Sequence, residues 1–196
     1  RRQRKLVLAR DHVGIKPLYY ARVAEGLVFG SEVKVLLESG WVPRRLDLDA
    51  VGQFLAWEYV PGAATMMRDV RRLEPASLLE LDLQTGKLDI RRFWSPLQAA
   101  ATDSSRVRTV ADWEDEVDAT VARCVRRQLI SDVPLGAFLS GGVDSSLVVA
   151  AMGKAQTFSI GFDDPTYNET QWSRRVADHL GVNHTIEIIR PDVHGL

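Results

Sequence analysis

The chain has 196 residues, of which 45% are hydrophobic and 26% charged, and it carries a formal net charge of −1 at pH 7. This composition is that of a globular protein of one or two domains; the near-neutral charge argues against binding to nucleic acid, and no apolar run reaches membrane-spanning length. The single cysteine, Cys124, excludes an internal disulfide and fits a cytoplasmic protein. Its place on the apolar side of a helical pattern predicts a buried, structural thiol.

The first ninety or so residues predict short strands joined by tight turns, together with two helices. The predicted strands are 6–9, 18–22, 27–30, 77–81 and 88–94. Short connections predict an antiparallel meander for the first three strands and a hairpin for the last two. Ser31 is expected to cap a short helix that ends at Gly40. Asp47 or Asp49 is expected to start a second helix over residues 50–57.

The second half alternates helices and strands. Residues 95–111 show little periodicity and are predicted to be a linker, after which Asp112 is expected to cap a helix. The segments that follow are strand 135–139, helix 147–152, strand 156–162, a helix with Trp172, Val176 and Leu180 on its apolar side and Gly181 at its end, and strand 183–189. This alternation predicts a parallel sheet whose ligands bind beyond the carboxyl ends of the strands. The predicted fold class is therefore α+β followed by α/β, in two domains.

One stretch of the second half indicates a ligand site. It runs Ser140–Gly141–Gly142–Val143–Asp144–Ser145–Ser146, between the strand ending at Leu139 and an apolar helix. Its two glycines allow positive φ and close approach of a ligand to the backbone. The unpaired N–H groups at the start of the helix attract anions, and the three serine hydroxyls add further donors.

Asp144 is unexpected beside an anion unless a metal ion accompanies that anion. A carboxylate together with phosphate oxygens and waters is the usual environment of Mg²⁺. The sequence contains no Walker A loop, so the site differs from that of P-loop enzymes. Two glycines and an acid alone fit an ordinary turn, with Asp144 as helix cap, equally well. The whole string between a strand and a helix favours a polyphosphate site with a metal.

Further candidates follow the neighbouring strand. Leu139 and Ile160, near the ends of adjacent strands, are candidates to flank an adenine base. Four candidate ligands lie in the loop after that strand, namely Asp163, Asp164, Asn168 and Glu169, of which the last two are favoured. The alternative is that Asn168 or Thr166 only caps the next helix. Three histidines without metal spacing are interpreted as surface or hydrogen-bonded residues: His179, His184 and His194.

The seven-residue string resembles the pyrophosphate loop of the ATP-pyrophosphatase superfamily. The two halves together resemble the glutamine-dependent asparagine synthetase family. The segments that carry this likeness are 10–20 and 29–34 in the first half and 131–134, 139–146, 158–162, 167–169 and 176–181 in the second. The resemblance implies a C-terminal part of a class II glutamine amidotransferase domain over 1–94, a linker over 95–111, and the start of an adenine nucleotide alpha hydrolase-like synthetase domain over 112–196.

The resemblance also implies a reaction. ATP adenylates the side-chain carboxylate of aspartate, pyrophosphate leaves, and ammonia from glutamine attacks the activated carbonyl. Asp144 is then the catalytic residue that fixes Mg²⁺. The residues implied to bind ATP are Leu139, Ser140, Gly141, Gly142, Asp144, Ser145, Ser146, Ile160 and Asn168. The partners implied are these small molecules, and a homodimer stays open.

Two departures from the family pattern matter. Glutaminases of this kind use a cysteine at the mature N-terminus, whereas this chain begins with Arg1 and its only thiol is Cys124. The chain also ends at Leu196, before the later segments of a synthetase domain. We therefore expect an internal piece of a longer enzyme that is inactive by itself. Two alternatives stay open, namely a related amide-forming ligase similar to the β-lactam synthetases and an inactive nucleotide-binding module.

Overall fold

The computed structural model describes residues 4–24, 26–102, 108–164, 166 and 168–190. The chain separates into two compact units, Arg1–Arg106 and Val107–Leu196. The first unit contains antiparallel sheets and the second a parallel sheet, so the predicted combination of sheet types is confirmed. No helix within the described ranges is long and apolar enough to cross a membrane.

The described part of the first unit contains six strands and three helices. In chain order they are β1 (Lys5–Ala9), β2 (Tyr19–Val23), β3 (Gly26–Gly30), α1 (Val33–Glu38), α2 (Leu48–Trp57), β4 (Arg71–Arg72), β5 (Ser77–Asp82), β6 (Leu88–Arg92) and α3 (Pro96–Thr102). The strands form two antiparallel sheets, in the orders β1-β5-β6 and β3-β2-β4. The predicted hairpin of β5 and β6 is confirmed.

The predicted meander of the first three strands is confirmed only for β2 and β3, which pair antiparallel. The first strand is placed wrongly, because β1 pairs with β5 instead of β2. Leu8 on β1 lies opposite Leu79, and both are buried in one core with residues of β2 and β5. The loop after β1 is held by Arg10, whose Nη1 donates to the carbonyl of Leu73 at 2.6 Å. Burial of apolar side chains far apart in sequence therefore decides the pairing, not the length of the connection.

The helix starts of the first unit are only partly as predicted. Asp47 caps α2, since its Oδ1 accepts hydrogen bonds from the N–H groups of Asp49 and Ala50 at 3.1 and 3.2 Å. This confirms the first of the two candidate starts. Ser31 does not cap α1. The cap residue is Glu32, which has extended backbone and makes no side-chain capping hydrogen bond.

The described part of the second unit contains three helices and three strands. They are α4 (Val110–Gln128), β7 (Gly136–Phe138), α5 (Val143–Met152), β8 (Gln156–Phe162), α6 (Thr170–Leu180) and β9 (Asn183–Ile189). The strands are parallel in the order β7-β8-β9, which confirms the predicted alternation and sheet. Alternate residues of β8 are buried, among them Thr157 and Ser159, while the residues between them are exposed.

Helix α4 corrects two expectations. Thr109, not Asp112, is the cap residue: Thr109 Oγ1 accepts from the Asp112 N–H at 3.2 Å, and the Asp112 carboxylate accepts from the Thr109 N–H at 2.8 Å. Asp112 is thus the third residue of a capping box. Cys124 is exposed, whereas the next residue, Val125, is buried. The predicted linker 95–111 includes α3. Residues 103–107 of this linker lie outside the described part of the chain.

Helix α6 closes the core of the second unit. That core contains Leu139, Val149, Ala155 and Ala177. The fully buried residues of α6 are Ser173 and Ala177, whereas Trp172 is 50% exposed and carries the Arg175 guanidinium 4.9 Å from its ring centre. The expectation that Trp172 lies on the buried side is therefore wrong. The buried position is that of the next residue, Ser173. Gly181 ends the helix in left-handed conformation, as predicted.

Replacing Leu79 tests the pairing of β1 with β5. Leu79 is 0% exposed, so Leu79→Ala removes buried methyl groups and leaves a cavity; we expect a loss of about 2–5 kcal/mol in the free energy of unfolding. Leu83→Ala is the matched control, because Leu83 is 61% exposed. Denaturant unfolding of both variants measures the difference. Equal losses would contradict this arrangement of the core.

Candidate nucleotide-binding site

The loop over residues 140–142 lies at the carboxyl ends of β7 and β8. Leu139, directly after β7, donates its N–H to the carbonyl of Phe158 at 2.9 Å, which fixes the start of the loop on β8. Helix α5 begins at Val143, with Gly142 as its cap residue. The chain thus passes from strand to helix within a few residues. The first N–H groups of α5, which have no partner within their own helix, therefore lie at this edge of the sheet.

The two glycines of the loop have different roles. Gly141 has φ +84°, and a Cβ atom on it would lie 2.6 Å from Ser173 N and from Trp172 atoms. Only glycine therefore allows the loop to approach the backbone of α6 this closely. Gly142 has φ −74°, and a Cβ there would meet only Ser140 Oγ, at 3.4 Å. The protein's own packing accepts a side chain at Gly142.

The serine hydroxyls organise the loop. Ser140 Oγ and Ser145 Oγ are 3.0 Å apart, and Ser140 Oγ accepts from the Gly142 N–H at 3.3 Å. Ser145 Oγ also accepts from the Ser140 N–H at 3.3 Å. The hydroxyls of Ser145 and Ser146 both donate to the Gly142 carbonyl, at 3.2 and 2.7 Å. The Ser140–Ser145 pair thus connects the two ends of the loop, whereas Ser146 braces the first turn of α5.

A hollow of about 140 Å³ lies beside the start of the loop. The residues that line it are Phe138, Leu139, Ser140, Phe158, Ser159, Ile160, Glu169, Thr170 and Ser173. Pockets for drug-sized ligands usually measure roughly 300–1,000 Å³. The hollow therefore has room for one part of a nucleotide rather than for the whole molecule.

The candidates for contact with adenine differ in access. Ile160 lines the hollow and is 49% exposed, so its side chain is available to a flat apolar ligand. Leu139 is 1% exposed with its side chain in the core, so it offers the hollow little side-chain surface. Sequence reasoning missed Phe138 and Phe158, whose side chains also line the hollow. Both alternate with buried positions, and that period-two pattern was the available signal.

Asp144 is exposed in the first turn of α5. Among the described residues no hydrogen bond or ion pair engages its carboxylate, and no group of three or more potential metal-ligating side chains occurs. The protein thus offers one carboxylate here. Mg²⁺ is commonly bound by one or two carboxylates, substrate phosphates and waters, so this donor set fits Mg²⁺ delivered with a polyphosphate.

Asn168 connects the end of β8 to the start of α6. Its Nδ2 donates to the Phe162 carbonyl at 2.9 Å, and its Oδ1 accepts from the Thr170 N–H and hydroxyl at 3.0 and 2.6 Å. These contacts resemble helix capping, but the cap residue of α6 is Glu169, which makes no side-chain capping hydrogen bond. Glu169 lines the hollow, whereas Asp163 is paired with Arg190 at 2.7 Å.

A polar cluster from β8, α6 and β9 lies beside the hollow. Its members are Thr157, Ser159, Ser173 and His184. Sequence reasoning interpreted His184 as a surface or hydrogen-bonded histidine, and its three side-chain partners confirm the second option. The cluster itself was missed. The signal was two hydroxyl residues at the buried positions of β8, where an apolar side chain is usual.

Both halves of the chain resemble known protein families. Residues 1–94 match the family model described as glutamine amidotransferase domain, and residues 116–193 match the model described as asparagine synthase. The chain is 31% identical over 192 residues to glutamine-hydrolyzing asparagine synthetase 1 of Bacillus subtilis (strain 168). It is 32% identical over 199 residues to a putative glutamine-hydrolyzing asparagine synthetase of Mycobacterium tuberculosis.

The chain belongs to the glutamine-dependent asparagine synthetase family. The alignments cover 94% and 96% of the chain but 29% and 30% of the two relatives. The chain therefore spans about a third of the length of the curated relatives it matches. The family resemblance drawn from the sequence is confirmed over both halves.

The two glycines of this synthetase-family loop give a matched pair of variants. Gly141→Ala forces a Cβ into the backbone of α6 at positive φ, so we expect a loss of at least about 1–3 kcal/mol in the free energy of unfolding. Gly142→Ala meets no such obstacle, and we expect a change of at most about 1 kcal/mol from its poorer capping. Denaturant unfolding measures both. A larger loss for Gly142→Ala would contradict the close approach at Gly141.

His184 makes the stability of the unit depend on pH. Desolvation, aided by the Arg174 charge, lowers its pKa below 6.5, although the Thr157 hydrogen bond and Asp178 act in the opposite direction. Below about pH 6.5 the His184 ring is therefore protonated more readily in the unfolded chain than in the folded one. The free energy of unfolding consequently falls as the pH falls. His184→Gln should remove this part of the slope. Parallel slopes for both proteins between about pH 7.5 and pH 5.5 would contradict the lowered pKa.

Proposed function

We propose that this chain provides the ATP-binding loop of a glutamine-dependent, AMP-forming carbon–nitrogen ligase that makes asparagine. The observation that carries the proposal is the loop over residues 140–146, which presents helix N–H groups and one free carboxylate beside a hollow at the carboxyl edge of a parallel sheet. Relatives named glutamine-hydrolyzing asparagine synthetase support the choice of reaction.

In the proposed reaction a carboxylate oxygen of aspartate attacks the α-phosphorus of ATP. The bond from that phosphorus to the bridging oxygen breaks, and pyrophosphate leaves. Ammonia then attacks the acyl carbon, AMP leaves, and the amide forms. The first step places growing negative charge on the departing diphosphate, so fixed donors aimed at it lower the barrier.

The loop residues have distinct tasks in this proposal. The N–H groups of the first turn of α5 and the hydroxyls of Ser140 and Ser145 bind the diphosphate. Gly142 leaves space for the diphosphate to approach the backbone of the loop closely. Asp144 holds Mg²⁺, which supplies charge neutralisation of the phosphate oxygens when bound. Ile160 forms an apolar wall for adenine.

The first unit is proposed to belong to the ammonia-producing half of such an enzyme. Its match to the glutamine amidotransferase domain supports this assignment. The single thiol, Cys124, lies on α4 in the other unit. The proposal therefore assigns no nucleophile for glutamine hydrolysis among these residues.

Replacing Asp144 tests the metal part of the proposal. Isothermal titration of the chain with ATP and Mg²⁺ should show binding, and Asp144→Asn should weaken it at least about tenfold, because one metal contact is lost. Without Mg²⁺, the variant should bind ATP no worse than the wild type, since removing a negative charge beside the phosphates relieves repulsion.

Asp118→Asn is the control for charge. Asp118 is an exposed acid on α4, so this variant changes the net charge equally but leaves the loop intact. Its affinity for Mg-ATP should stay within about twofold of the wild type. Absence of Mg-ATP binding by the wild type, or equal effects of the two variants, would overturn the proposal.

A further inference from the structure

His184 Nε2 faces the hydroxyls of two serines that both line the hollow. Its distances to Ser159 Oγ and Ser173 Oγ are 3.2 and 3.1 Å. The Ser159 hydroxyl donates to the carbonyl of Leu139, the residue before the loop. The Ser173 hydroxyl donates to the carbonyl of Thr170 at 3.1 Å, in the first turn of α6. One ring nitrogen thus connects the start of the loop to the start of α6.

The other ring nitrogen faces away from the loop. His184 Nδ1 lies 2.9 Å from Thr157 Oγ1, whose hydroxyl donates to the Asn183 carbonyl at 2.8 Å. Thr157 is paired with His184 near the amino ends of β8 and β9, and neither Thr157 nor Asn183 lines the hollow. Nε2 therefore contacts hydroxyls that line the hollow, whereas Nδ1 contacts a hydroxyl that does not.

Proton counting shows that the ring and the hydroxyls are coupled. A carbonyl oxygen only accepts, so each of the three hydroxyls uses its single proton on a carbonyl. The hydroxyl oxygens then remain as acceptors for the ring. A neutral ring has only one N–H, so one hydroxyl must turn its proton from a carbonyl to the bare nitrogen. When Nε2 is bare, that hydroxyl belongs to Ser159 or Ser173, and the carbonyl of Leu139 or of Thr170 loses the hydrogen bond from that hydroxyl.

The cluster has little freedom to relax. Thr157 and Ser173 are 0% exposed and Ser159 is 7% exposed, so water does not replace a lost hydrogen bond easily. Gly141 also touches the backbone of residues 172 and 173, where one of these serines lies. A shift of Ser173 is therefore transmitted directly to the loop.

We propose that His184 is a positioning residue for the nucleotide site, which acts through Ser159 and Ser173 to hold the loop and the first turn of α6 on either side of the hollow. This inference rests on the proposed binding of ATP. His184 itself does not line the hollow, so its effect on a ligand is indirect. The charged groups that influence the ring are Arg174 and Asp178, both on α6.

Two amide substitutions separate the roles of the ring nitrogens. The amide of His184→Gln reaches the place of Nε2, whereas the shorter amide of His184→Asn reaches only that of Nδ1. In isothermal titration of the whole chain with Mg-ATP, we expect H184Q to keep its dissociation constant within about twofold. H184N should weaken binding about fivefold or more, the effect of one lost hydrogen bond in the support of the site.

A pH profile provides a readout that a purely structural role would not change. The wild-type affinity for Mg-ATP should vary with pH where the ring titrates, and H184Q should lack this part of the variation. Thr157→Val is the control on the Nδ1 side. It should lower stability in denaturant unfolding while leaving the dissociation constant within about twofold.

The outcomes distinguish the two proposals. No binding by the wild type would overturn both. Binding by the wild type with equal dissociation constants for H184Q and H184N would overturn the positioning role only. Should H184N not fold, Ser173→Ala is compared with Thr157→Val. Loss of affinity in the first alone supports the proposal, and equal effects contradict it.

Discussion

The second unit depends on one close contact, the approach of Gly141 to the backbone at Trp172 and Ser173. A side chain at this glycine would lie 2.6 Å from α6. The contact joins the loop after β7 to the helix after β8, so the walls of the hollow come from two consecutive crossovers of the sheet. It also brings Ser173 within reach of His184 and of the loop at once. Glycine is required here by the protein's own packing.

The site requires few groups from the protein because its proposed ligand carries most of the chemistry. Helix N–H groups, two hydroxyls and one carboxylate suffice when the phosphates themselves supply further metal ligands. The sheet places these groups at one edge, and α6 limits their movement. The proposed specificity of the loop for a diphosphate with Mg²⁺ follows from fixed donors beside the carboxylate of Asp144. An anion without a metal ion would be repelled by Asp144.

The sequence predicted those features of the fold that local residue patterns determine. The alternation of β7, α5, β8, α6 and β9, a loop directly after Leu139, and the C-terminal ends of α2, α5 and α6 follow from periodicity and capping residues. Prediction from the sequence failed for features that depend on contacts between residues far apart in the chain. The pairing of β1 with β5, the exposure of Cys124 and the hydrogen bonds of His184 depend on which faces meet in the folded unit. Asn168 shows this limit of sequence-based prediction most clearly. A side-chain amide can bond to the start of a helix or bind a ligand, and only the folded geometry distinguishes these two roles.

The central claim is that residues 141–146 bind a diphosphate and its metal ion. Amide chemical shifts of the isotope-labelled chain, recorded while magnesium pyrophosphate is added, test it most directly. The account predicts that the largest shifts belong to the backbone N–H groups of these six residues and that they shrink when the metal ion is removed by a chelator. Largest shifts elsewhere, such as in the first unit, or no shifts at all would contradict it.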